Sequence, residues 1–108
     1  MHLSNDAKIM LFTLYKEYLD RRNHGFSKSF SKNFQSANFI HQNLFPDLLL
    51  EDVEDTLREL GRNNFLNNFY ADNTIYYCTL SDDAIVAMEA LPAEIFKSVK
   101  KFISTFKL

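Results

Sequence analysis

The side chains of this chain that could carry chemistry are few and scattered. Its three histidines, His2, His24 and His41, are too far apart for a His-x3-His metal site, and a single cysteine accompanies them, so no zinc-ligand pattern exists. That cysteine, Cys78, falls in an extended, aromatic stretch with no base assigned to it, which reads as a small core residue and not as a nucleophile. Two glycines cannot build a phosphate-cradling loop. The densest ionisable cluster is Glu51, Asp52, Glu54, Asp55 and Glu59, interrupted by Arg58 and Arg62. Carboxylates three residues apart on a helix can hold a divalent ion or act as acid and base, but on an exposed face they are usually just solvated. The expectation is a protein with no catalytic, metal or cofactor site.

Two stretches carry positive charge. Lys28 and Lys32, with Asn38, His41 and Gln42 nearby, form a mildly basic, amide-rich surface suited to phosphate or base contacts. Lys97, Lys100, Lys101 and Lys107 line one side of the C-terminal segment, opposite Ile95, Phe96, Val99, Phe102, Ile103 and Phe106. The competing reading of both is a wet helix face. A small domain has little core left to cover six large side chains, so that apolar stripe is expected to pack against a second copy of the chain.

The elements that position these groups follow from hydrophobic spacing and capping residues. Ser4 opens a helix over 4–24 in which Ala7, Met10, Leu11, Leu14, Tyr15, Tyr18 and Leu19 recur at helical intervals, and Gly25 supplies a left-handed end. Ser27 and Ser36 cap short helices within 27–45, with Phe30 and Phe34 one turn apart in the first and Ala37, Ile40 and Leu44 on one face of the second. A helix over 49–61 buries Leu50, Val53, Leu57 and Leu60, with Asp52 capping or charging its first turn and Gly61 as its left-handed stop. A hairpin over 65–80 turns at Asp72-Asn73, and its second strand alternates Tyr76, Cys78 and Leu80, with Leu80 facing the core, against Ile75, Tyr77 and Thr79. Ser81 caps a helix over 82–91, and Pro92 restarts the chain as a helix over 92–107.

With 108 residues, 46% hydrophobic and 15% aromatic, the chain has material for one folded domain, mainly α with a small β-hairpin. A net charge of −2 gives no global attraction to polyphosphate. The apolar runs are far shorter than the roughly 20 residues that span a bilayer, so no membrane association is expected. One cysteine and an N-terminus lacking a secretory pattern make the cytoplasm the expected location.

This element order resembles that of the winged helix-turn-helix superfamily. VEDTLRELGRNNFL looks like its third helix and first wing strand, and NNFYADNTIYYCTL is similar to its wing. LSDDAIVAMEAL occupies the place of its Leu-Thr-x-x-Gly turn, with Ala84 where the family has glycine. The extra C-terminal helix is similar to the one that small dimeric and phage-type members use to dimerise. The resemblance implies double-stranded DNA as a partner, with the third helix in the major groove. Yet the exposed face of that helix, Glu51, Glu54, Asp55, Arg58, Glu59 and Arg62, would bring net negative charge within a Debye length of the phosphates, and the hairpin tip has no lysine or arginine. The reading that follows is a regulatory or adaptor module whose acidic helix face meets a basic protein partner and whose C-terminal stripe forms a homodimer. DNA binding through Lys28, Lys32, Asn38, His41 and Gln42, or through the C-terminal lysines, is the alternative.

Overall fold

The computed structural model describes residues 2–92 and 97. They form five helices and a three-stranded antiparallel sheet around one core. The expected helix over 92–107, with Ile95, Phe96, Val99, Phe102, Ile103 and Phe106, lies outside the described residues apart from Pro92 and Lys97. Among the described residues no helix is long and apolar enough to cross a membrane.

The central helix is α1 (Asn5–Asn23), whose first turn is closed by Ser4 Oγ accepting the Ala7 amide. Its residues Ala7, Met10, Leu11, Leu14, Tyr15 and Tyr18 are buried as their spacing demands, and Phe12 and Thr13 join them because neighbours cover more than one stripe of the helix. The chain leaves α1 through His24 and Gly25, the latter at φ +89 with open space around it, so glycine is there for its backbone freedom.

Ser27 and Ser36 cap α2 (Lys28–Lys32) and α3 (Ala37–Leu44) through the amides of Phe30 and Phe39. Between them the expectation of continuous short helices fails: Asn33–Gln35 is a strand, β1. The cause is tertiary. The far edge of the hairpin offers free backbone groups, and pairing Asn33 with Thr79 and Gln35 with Cys78 satisfies them. Asn33 Oδ1 accepts the Gln35 amide as Gln35 takes φ 64, and Phe34 turns fully inward. Arg21, in the last turn of α1, secures this strand. It donates to Asn33 O at 2.8 Å, lies 4.6 Å over the Phe34 ring and pairs with Glu17 at 3.5 Å.

The fourth helix, α4 (Leu50–Arg62), buries Val53, Leu57 and Leu60, with Leu50 half-buried. The cap position is Leu49, which has no side-chain bond to give, so of the two roles open to Asp52 the one it takes is first-turn charge, favourable to the helix dipole. One detail differs from expectation. Gly61 lies inside the helix, and the left-handed residue that ends it is Asn64 at φ 66. Glycine at 61 answers a close approach instead: a Cβ there would stand 2.6 Å from Asn68 Nδ2, which donates to Leu57 O at 3.0 Å.

The hairpin comprises β2 (Leu66–Ala71) and β3 (Thr74–Leu80), in sheet order β1-β3-β2. Asp72 and Asn73 both have positive φ, 52 and 62, as a two-residue turn matched to strand twist requires. The expected alternation breaks at a register shift where Phe69 faces Tyr77 and Tyr70 faces Ile75. This bulge leaves Tyr76 without a partner. Ile75 therefore turns inward with Cys78 and Leu80, while Tyr76, expected on their face, is exposed beside Tyr77. Ser81 then caps α5 (Asp82–Glu89) through the Ala84 amide and donates to Asn64 O at 2.7 Å, which locks the hairpin base to both α4 and α5.

Candidate functional site

The outer side of α4 separates into groups that hold the fold and groups that do not. Glu59 accepts the backbone amide and the hydroxyl of Ser4, each at 2.7 Å, clamping the start of α1 against α4. Those bonds hold its carboxyl below the usual range, so the clamp is fully present above the ordinary carboxylate range and weakens as pH falls through the lowered value. Arg58 pairs with Glu54 at 3.6 Å, donates to the carbonyl of Asn73 and lies 5.6 Å from the Tyr70 ring centre. Arg58 is thus a bolt between α4 and the hairpin turn, and Glu54 supports it.

What remains is Glu51, Asp52 and Asp55, with Asp47 just ahead of the helix and Arg62 at its end, all exposed. None of the four carboxylates makes an ion pair among the described residues. Of the six residues on the expected protein-facing surface, Glu51, Asp55 and Arg62 are exposed for a partner, while Glu54, Arg58 and Glu59 are engaged within the chain. The Glu59 clamp on Ser4 and the Arg58 bond to Asn73 have no signature in the local sequence, whereas the Glu54–Arg58 pair is a four-residue helical spacing.

The expected basic surface is largely spoken for. Lys28 and Lys32 converge on Asp82 at 3.7 and 3.1 Å, tying α2 to the start of α5, and chiefly the Lys32 hydrogen bond holds the Asp82 carboxyl below its usual value. His41 donates through Nε2 to Leu48 O at 2.7 Å, bracing the turn between α3 and α4. Asn38 and Gln42 are exposed amides. The two lysine ammonium groups share the one Asp82 carboxylate, so the three side chains together keep one positive charge.

Cys78 is fully buried, and burial pushes its thiol up to about 12, so it carries no thiolate near neutrality. His2 and His24 are exposed, and His24 donates through Nδ1 to Asp20 O at 2.7 Å. Among the described residues no three His, Cys, Asp or Glu side chains are grouped to hold a metal ion.

Phe69, Ile75 and Tyr77 read from the sequence as a second candidate contact surface if they face outward from the hairpin; the structure exposes Phe69 and Tyr77 but buries Ile75. Phe69 and Tyr77 face one another across β2 and β3 and are exposed, and Tyr76 is exposed beside them. From β1, the Asn33 side-chain amide donates to the Tyr77 hydroxyl and fixes that ring. Strict alternation would have buried Tyr76; only the bulge brings it out.

The chain's charge is divided unevenly. Residues 1–92 hold eight lysines and arginines against thirteen carboxylates, −5 in all, and residues 93–108 hold four lysines against Glu94, +3 in all. No protein-family model, curated protein or solved structure matches this chain.

Proposed function

We propose that this chain is a winged-helix domain that acts as a non-enzymatic regulatory or adaptor module through protein contacts, self-association among them, and does not read DNA. The order α1, α2, β1, α3, α4, hairpin, α5 supports the family reading, with α3 and α4 as the helix-turn-helix and the hairpin as the wing. The observation that carries the functional reading is the outer side of α4. Where a DNA reader needs cations, Glu51, Asp52 and Asp55 stand exposed and unpaired among the described residues, while Arg58, the cation in their midst, is spent on Glu54 and Asn73. Such a face fits a basic protein surface, where complementary charge speeds encounter and selects the partner. Lys28 and Lys32 share the one carboxylate of Asp82, so that surface keeps a single net positive charge, which is little for displaced DNA contacts.

Fluorescence anisotropy with random duplex DNA at low ionic strength separates the two uses of the fold. Negligible binding is the expected result. Micromolar binding whose affinity falls steeply with added salt would overturn the reading.

A further inference from the structure

The outer face of the hairpin has the composition of an interface core. Phe69, Tyr76 and Tyr77 are 65%, 67% and 45% exposed. Single exposed aromatics are ordinary, but three side by side on one rigid sheet are a contact patch in search of cover. Between Asn63 and Ser81 the only ionised side chain is Asp72, at the turn. An anionic partner, whether polyphosphate or lipid surface, finds no cation within that stretch of chain, and a basic partner is drawn instead to the carboxylates of α4.

We propose that the face is covered by the same face of a second copy of this chain, related by a two-fold axis, with Phe69, Tyr76 and Tyr77 at its centre and Asn33, Asn67 and Thr79 at its rim. The inference rests on the self-association part of the proposed function and gives it a location. An uncharged aromatic surface is complementary to itself, and a net charge of −2 sets only a weak, salt-screened repulsion between copies. The area is of the right order. With about 200 Å² for each fully buried aromatic side chain, the exposed fractions correspond to about 350 Å² per copy and about 700 Å² for the pair. That is below the roughly 1,000 Å² at which stable specific interfaces begin, so the dimer is weak and reversible. Asn33 holds Tyr77 in place before contact, which lowers the ordering cost of association.

Sedimentation velocity on the full chain over a concentration series tests this with three variants, Phe69→Lys, Tyr76→Lys and Phe102→Lys. The hairpin variants alter exposed side chains, and thermal unfolding followed by circular dichroism verifies that each is folded. The expected result is a reversible dimer for the unaltered chain and for Phe102→Lys, with dissociation constants raised by about tenfold or more in both hairpin variants. An unaltered chain that is strictly monomeric at high micromolar concentration overturns self-association altogether. Dimers that persist in both hairpin variants and dissociate in Phe102→Lys overturn the hairpin assignment alone and place the contact in residues 93–108.

Discussion

Replacing Phe34 by alanine should lower the unfolding free energy by about 3–5 kcal/mol, the range for emptying a fully buried aromatic site. A domain of this size has only about 5–15 kcal/mol to lose. Phe34 is 0% exposed, on a strand of three residues wedged between α1 and β3, with the Arg21 guanidinium over its ring. Removing the ring leaves a cavity and strips Arg21 of the surface it covers, so little relaxation can recover the loss. Phe30→Ala is the natural control, because that ring is 54% exposed and stacks on Phe26, and it should cost less than about 1 kcal/mol. Urea unfolding of the two variants, with unchanged m values, measures both. Equal losses would mean that β1 does not carry Phe34 into the core.

The pair shows where sequence reasoning stops. Phe30 and Phe34 stand four residues apart, and on that spacing they belong to one helical stripe. The strand that separates them exists because β3 has an edge to fill more than forty residues later, which no local pattern records. The same holds for the bulge that turns out Tyr76, for the approach of Asn68 that requires glycine at 61, and for the bonds that enlist Glu59, Arg58 and Arg21 in the fold. Features set within a few residues were legible: the serine caps at 4, 27, 36 and 81, the left-handed exit at Gly25, the Asp72-Asn73 turn and the buried stripe of α4. Of the candidate surface, the acidity of α4 was legible, because charge on an exposed helix face needs no tertiary partner to define it. Which carboxylates are available to a partner was not, because that depends on what each one already holds.

The second large effect concerns that availability. Changing Glu51 and Asp55 together to lysine reverses two exposed carboxylates and shifts the formal net charge from −2 to +2 while leaving the Glu54–Arg58 pair and the Glu59 clamp untouched. If the winged-helix placement is right and acidity is what keeps α4 from a groove, duplex DNA affinity should appear at low ionic strength, at least about tenfold above the unaltered chain. Two new phosphate contacts should steepen the slope of log affinity against log salt by about 1.8. Glu54→Lys makes a poorer probe, because it strips Arg58 of its carboxylate and disturbs the hairpin turn. A folded double variant that still ignores DNA would show that the shape of this face, and not its charge, excludes a duplex.

The acidic side of α4, proposed above as a docking surface for basic protein segments, is open to a direct test. Titration of the isotope-labelled chain with a lysine-rich peptide at low ionic strength, followed by backbone amide shifts, tests it directly. Saturable shifts concentrated at Glu51, Asp52 and Asp55 that collapse as salt is added are expected, with Phe69, Tyr76 and Tyr77 unmoved. Shifts that are absent from α4, or that gather on the hairpin instead, would contradict it.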